Sequence, residues 1–183
     1  NAGHNLTVKF RNGQANVYVD DTDVGYVVTE LSGSTYGTLS YALSNDVGEY
    51  VVFSQRVDGM EVLVDGTTAN RALNIIGNGT EKTIVQGGII YNNASSILKF
   101  QNTTVNNVSA GNPSGIFIEA NNSVFNNCSN TSYSVFRNGV ITGSTFSNMT
   151  NLPTRGILEP DDSIYDCLFI NNSIGTAEKM MYI

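Results

Sequence analysis

Apolar residues along this chain fall in short patches that alternate with polar ones, and the patches repeat. Four six-residue windows align without gaps: Phe100-Gln-Asn-Thr-Thr-Val105, Ala120-Asn-Asn-Ser-Val-Phe125, Ile141-Thr-Gly-Ser-Thr-Phe146 and Ile164-Tyr-Asp-Cys-Leu-Phe169, at steps of 20, 21 and 23 residues. A weaker copy, Thr80-Glu-Lys-Thr-Ile-Val85, lies one step earlier. The last position of the window is Val85, Val105, Phe125, Phe146 and Phe169; two residues before it stand Thr83, Thr103, Ser123, Ser144 and Cys167. A two-residue period places both columns on one face of a strand, turned inward. Inside the window, Asn102, Asn122, Gly143 and Asp166 are residue types that tolerate left-handed backbone, which predicts a sharp corner before each strand. A second apolar patch recurs at Ile97-Leu98, Ile116-Phe117-Ile118, Val135-Phe136, Ile157-Leu158 and Met181-Tyr182-Ile183, so each repeat carries at least two short strands.

Short strands, corners rich in Asn and Gly, and a period near 20 residues predict an all-β chain: a right-handed parallel β-helix of about 20–23 residues per coil. Helical repeats would need 3.6-residue periodicity over ten or more positions, and residues 97–183 lack it. After most of the aligned strands the chain continues with asparagine, at Asn106-Asn107, Asn126-Asn127, Asn148 and Asn171-Asn172. Amides stacked coil on coil can hydrogen-bond to one another, so this row is read as a structural ladder in preference to a ligand-binding face.

Both ends carry expectations. Ser34 or Thr35 is expected to cap a short helix bearing Leu39, Ala42 and Leu43, and Tyr50-Val-Val-Phe53, Glu61-Val-Leu-Val64 and Leu73-Asn-Ile-Ile76 read as the first strands. Ahead of that cap, Asn5-Leu-Thr-Val-Lys-Phe10 and Asn16-Val-Tyr-Val-Asp20 alternate around the hairpin signal Asn12-Gly13. Two units are therefore expected, a small β appendage over 1–32 and the capped β-helix over 33–183. Lys179-Met-Met-Tyr-Ile183 falls where a coil's second patch belongs. Either the natural chain continues beyond it, or an open coil edge docks onto another subunit. Asn1 is preceded by no leader, which predicts a removed signal segment or an excerpt.

Composition narrows the surroundings. Only 14% of residues are charged, where about 25% is usual, so Asn, Ser and Thr must keep the surface wet. A formal net charge of -7 and nine Lys plus Arg exclude a nucleic-acid backbone as partner, and no apolar run reaches the roughly 20 residues of a membrane span. Ten N-x-Ser/Thr sequons are candidates for N-glycosylation: Asn5, Asn78, Asn93, Asn102, Asn107, Asn121, Asn127, Asn130, Asn148 and Asn171. Their number favours an extracellular glycoprotein at a cell surface. The competing origin is that Asn and Ser/Thr are both enriched in turns and stacks.

The phrases Leu73-Asn-Ile-Ile-Gly-Asn-Gly-Thr80, Thr83-Ile-Val-Gln-Gly87, Ser123-Val-Phe-Asn-Asn127 and Cys167-Leu-Phe-Ile-Asn-Asn172 resemble the right-handed parallel β-helix region of secreted adhesin-like surface proteins of methanogenic archaea. The resemblance implies surface display, cell contact or envelope building, and no catalytic residues. Partners expected on this reading are further copies of the chain or neighbouring envelope subunits, assembled as a layer or filament, with a glycan or host-surface ligand as a further candidate.

The rival reading is a polysaccharide lyase or hydrolase, or a glycan-binding module. Its acidic residues would be Glu159, Asp161, Asp162 and Asp166, but Asp161 and Asp162 follow Pro160 in a loop, and a solvated turn is the simpler account. Asp20, Asp21 and Asp23 before Gly25 lack the full spacing of a calcium loop, and His4 is the one histidine, so neither a metal site, a cofactor nor a triad is expected. Cys128 aligns with Val108 and Met149, and Cys167 with Ser144, about two coils apart; two free, buried thiols are expected. Tyr91, Tyr133 and Tyr165 are candidates for stacking on sugars.

Overall fold

The alternation of the sequence becomes three sheets that the chain visits in turn. The computed structural model describes residues 6–11, 14–19, 22–131, 134–137, 139–150, 155–159 and 163–173. Strands β1 (Leu6–Arg11), β2 (Gln14–Val19) and β3 (Thr22–Val28) come first, then the helix α1 (Leu39–Ser44). The first coil holds β4 (Tyr50–Phe53), a 3-10 turn at Gln55–Val57, β5 (Met60–Leu63) and β6 (Thr67–Thr68). The second holds β7 (Leu73–Ile76), β8 (Thr83–Gln86) and β9 (Ile89–Tyr91), and the third β10 (Leu98–Gln101), β11 (Thr104–Asn106) and β12 (Ser109–Ala110). In the fourth, β13 (Ile116–Asn121) and β14 (Val124–Asn126) lead to one bridge between Ser129 and Ser109. The fifth has β15 (Phe136–Arg137), β16 (Ile141–Thr142) and β17 (Thr145–Ser147); the sixth has β18 (Leu158–Glu159), β19 (Ile164–Tyr165) and β20 (Leu168–Ile170).

Hydrogen bonds join each coil to the next. The first sheet has eleven strands, ordered β1-β2-β3-β4-β7-β10-β13-β15-β18, with β16 also pairing β13 and β19 pairing β16; the second has six, from β5 to β20, and the third has β6, β9 and β12. Every pairing from β3 onward is parallel, and β1-β2-β3 is antiparallel. This is the expected parallel β-helix, of about six coils, with a small N-terminal hairpin. The observed register matches the window alignment: Phe100 faces Ala120 and Ala120 faces Ile141, while Val85, Val105, Phe125, Phe146 and Phe169 follow one another down the second sheet. The second apolar patch and the window's first residue prove to share one sheet, as in β10, where Leu98 and Phe100 both face inward.

The inward columns divide by size. Phe125 and Phe146 stack with centroids 5.1 Å apart, Phe146 and Phe169 at 5.2 Å, and Phe136 meets Phe125 edge-on at 4.9 Å. The small column is buried and hydrogen-bonded: Ser123 Oγ accepts from Thr103 N at 3.3 Å, Ser144 Oγ accepts from Ser123 N at 3.2 Å, and both serines donate to carbonyls two residues back. A hydroxyl is tolerated inside because the corner beside it leaves peptide groups that need partners.

At the N-terminal end, helix α1 buries Leu39, Ala42 and Leu43 over the first coil. Its cap is Thr38, whose Oγ1 accepts from Tyr41 N at 3.2 Å, and not Ser34 or Thr35 as the sequence suggested. The chain stays non-helical through Gly37 (φ +102°), whose N–H donates to Tyr26 Oη, so the helix starts later. Tyr26 Oη also donates to Thr38 O at 3.1 Å, and Tyr36 and Tyr41 pack against the ring; burial holds this phenol above its ordinary range. Strand β3 lies parallel to β4, with Tyr26 and Val28 turned into the solenoid core. Its Val27 faces outward with Val52 and Ile76, where Val17 of β2 folds over them. The hairpin tip Asn12-Gly13 and the patch Met181-Tyr182-Ile183 lie outside the described residues. Among the described residues, no helix is long and apolar enough to cross a membrane.

Two adjacent glycines make a test of the coil geometry. A Cβ on Gly88 would sit 1.6 Å from Val64 O, whereas one on Gly87 meets nothing within 4 Å, although both have positive φ. Gly87→Ala is expected to cost about 1–2 kcal/mol from backbone strain alone, and Gly87→Asn less. Gly88→Ala should cost more than about 3 kcal/mol or prevent folding. Phe125→Ala, in the middle of the ring stack, should cost about 3–5 kcal/mol. Urea denaturation midpoints of the four variants check all of these.

Candidate functional site

The surface is organised by the corners. Before the second-sheet strands stand Asn102 (φ +53°), Asn122 (φ +48°), Gly143 (φ +58°) and Asp166 (φ +51°), the four residues expected there. After those strands come Asn107 (φ +56°), Asn127 (φ +50°), Asn148 (φ +54°) and Asn171 (φ +50°). Six of these turns, from Asn102 to Asn148, are locked by a backbone hydrogen bond to the next coil, as in Asn102 N donating to Asn121 O at 3.1 Å and Asn107 N to Asn126 O at 3.0 Å. The side chains then form short ladders. Asn122 Nδ2 donates to Asn102 Oδ1 at 2.8 Å, Asn127 Nδ2 to Asn107 Oδ1 at 2.6 Å, and Asn148 Nδ2 to Asn126 Oδ1 at 2.7 Å.

The candidate glycosylation asparagines fall into different surroundings. Asn107, Asn127, Asn148 and Asn171 make an exposed row at one corner; Asn102 occupies the other corner, and Asn121 points outward from β13. Asn78 is exposed, but its Nδ2 donates to Phe53 O at 3.1 Å and Asp58 Oδ1 at 2.7 Å. Asn93 lies exposed in the loop between β9 and β10, and Asn5 lies outside the described residues. Asn130 is buried, its Nδ2 donating to Pro113 O at 3.0 Å and Ser134 O at 2.6 Å. Sequence reasoning missed its counterpart Asn92, whose Nδ2 donates to Ser96 O at 3.1 Å and Phe117 O at 2.8 Å and whose Oδ1 accepts from Phe117 N. The shared spacing, Asn92 to Ser96 and Asn130 to Ser134, was the signal: each asparagine closes the loop that carries the chain to the next coil.

Along the outer face of the first sheet runs a groove of about 340 Å³ that crosses five coils. Tyr50, Asn74, Lys99 and Glu119 form one registered row of its lining; Gln101, Asn121 and Thr142 form another, which Tyr165 continues. Lys99 Nζ lies 3.0 Å from Glu119 Oε2, an exposed pair that contributes little to stability. Amides, a hydroxyl, an ion pair and tyrosines are groups that match a hydroxylated ligand. Tyr165 is 55% exposed, and Tyr91 lies across Gly111, where a Cβ would come within 2.5 Å of its ring. Tyr133 is outside the described residues.

The acidic patch is not assembled as a site among the described residues. Glu159 is buried with its carboxylate on two arginines, bonded to Arg155 and 3.5 Å from Arg137 Nε, while Asp166 is a corner residue and Asp161 and Asp162 lie outside the description. Among the described residues no group of three or more His, Cys, Asp or Glu could hold a metal ion. Both cysteines are free, as expected, but only Cys128 is fully buried. Cys167 is half-buried. Burial pushes the Cys128 thiol up to about 12. No protein-family model, curated protein or solved structure matches the chain.

Asn127→Gly keeps the positive φ and removes the amide, so its cost should be about 1 kcal/mol, while Asn127→Ala adds backbone strain for about 2 kcal/mol or more in total; denaturant titration of both separates ladder from turn. The thiols should react unequally with iodoacetamide near pH 8: Cys167 in the native protein, Cys128 only on unfolding. In the unfolded chain the Cys128 thiol ionises near its ordinary 9.0, so the stability it contributes is complete below that pH and is lost as pH rises toward 12. Cys128→Ala should flatten that part of the stability profile.

Proposed function

We propose that the chain is a non-enzymatic structural or adhesive module of an extracellular cell surface, which joins further copies of itself or neighbouring envelope subunits through coil edges into a layer or filament. The observation that carries the reading is the way one coil templates the next: from β4 to β20 successive coils pair strand on strand in parallel, with like residues stacked in inward columns. A coil of the same register from another subunit can continue these sheets by the same pairing, which is how parallel strands extend a sheet. The sequon count and the resemblance to methanogen adhesin-like β-helices add support for a surface location.

Electron microscopy of the purified native protein, with no ligand added, tests assembly. Ordered filaments or sheets are the expected result, and uniform separate particles overturn self-assembly. The amide-lined groove supports a second reading, a glycan-binding module. On that reading a glycan array gives hits that weaken in Gln101→Ala and Tyr165→Ala. Release of sugar fragments from a polysaccharide would instead indicate a lyase or hydrolase.

A further inference from the structure

Ten sequons do not make ten equivalent acceptors. An oligosaccharyltransferase has to take hold of three consecutive residues, with the Asn amide free and the hydroxyl at the third position within reach. In four sequons the middle residue is an inward side chain of the solenoid wall: Thr103 after Asn102, Val108 after Asn107, Cys128 after Asn127 and Met149 after Asn148. None of these tripeptides can enter an enzyme cleft without the coil coming apart. Asn121 fails at the third position, since Ser123 is buried. Asn171 is followed by Asn172, which is tied to Met149 N at 2.9 Å and Phe146 O at 2.9 Å. Asn130 is buried, and the amide of Asn78 already has two acceptors.

Asn93-Ala94-Ser95 differs on every count. It is the sequon, among the described residues, in which all three residues are exposed. Asn93 Oδ1 accepts from Ser95 N at 2.9 Å, Ser95 Oγ at 2.6 Å and Ser96 Oγ at 3.3 Å. These bonds engage Oδ1, with the Ser96 hydroxyl shared with Asn93 O at 3.3 Å, and Nδ2 donates to none of the described residues. The base of the loop is held by the buried Asn92, so the turn is presented on a fixed support.

We infer that, among the described sequons, Asn93 is the acceptor through which the folded protein takes an N-linked glycan, an inference that rests on the extracellular reading above. The donor is an oligosaccharide on a lipid diphosphate. The bond that forms joins Asn93 Nδ2 to the anomeric carbon, and the bond that breaks joins that carbon to the phosphate oxygen. The lipid diphosphate leaves, and the amide proton passes to a base of the transferase.

The test incubates the purified, folded chain with a transferase that reads the three-residue sequon and a lipid-diphosphate oligosaccharide, followed by glycopeptide mass spectrometry. One glycan mass is expected at Asn93, lost in Ser95→Ala with the thermal melting curve unchanged, while the urea-unfolded chain gains glycans at further sequons, Asn130 included. An unmodified Asn93 in the folded chain, or equal modification along the row Asn107, Asn127 and Asn148, overturns the inference. Sugar at Asn93 in protein from its native source supports the surface location as well. Native protein that carries no sugar, alongside a folded chain modified at Asn93 in vitro, removes the surface reading and leaves the acceptor geometry standing.

Discussion

Each coil must change direction between sheets within a single residue while its peptide groups stay bonded to the coil above and below. At the corners around the second sheet the backbone does this by taking φ near +50°, among the described residues at seven non-glycine positions, six Asn and one Asp, and at Gly143. For most side chains that conformation costs roughly 1–2 kcal/mol per residue, and two such corners in each of several coils would consume a large part of a domain's net stability. Asparagine lowers that cost and adds an amide that reaches the next coil. The parallel register, the inward columns and the flat faces all depend on these corners recurring in step.

The same constraint accounts for five of the ten sequons, those at Asn102, Asn107, Asn127, Asn148 and Asn171. A corner asparagine is followed by one inward residue and then by an outward one, and an outward position on a low-charge sheet favours Thr or Ser. Asn102-Thr103-Thr104 and Asn107-Val108-Ser109 follow that order of corner, inside and outside. The glycosylation motif therefore arises here as a by-product of coil geometry, and its frequency is weaker support for sugar than a simple count suggests. Asn93 stands apart because all three residues of its loop sequon are exposed.

The solenoid was legible wherever one residue repeats one physical role. Val105, Phe125 and Phe146 carry size, Thr103, Ser123 and Ser144 carry a small hydroxyl, and Asn102 and Asn122 carry the bend, so alignment alone recovers the register. Features that depend on contacts between unlike segments were not legible. The helix cap fell at Thr38 because Tyr26, twelve residues earlier, takes the N–H of Gly37. Glu159 turned from a catalytic candidate into the partner of Arg137 and Arg155, which lie one coil away and one helical-turn spacing away in sequence. The outer groove emerges only when Tyr50, Asn74, Lys99 and Glu119, spread over 70 positions of the chain, are brought into one row.

Axial stacking and lateral contact make different demands on this surface. A coil added along the axis extends existing sheets, so it uses peptide hydrogen bonds and the inward columns, and is indifferent to what projects from the sides. Side-to-side packing of solenoids would instead bury the outer faces, which carry amides and hydroxyls beside exposed Met60, Leu63, Ile89 and Leu168. A glycan on Asn93 projects from the flank, between the third sheet and the first, and hinders lateral contact there while leaving the coil ends free. The two proposals therefore converge on one mode of assembly, growth along the solenoid axis, with the flanks kept for solvent or for a hydroxylated ligand.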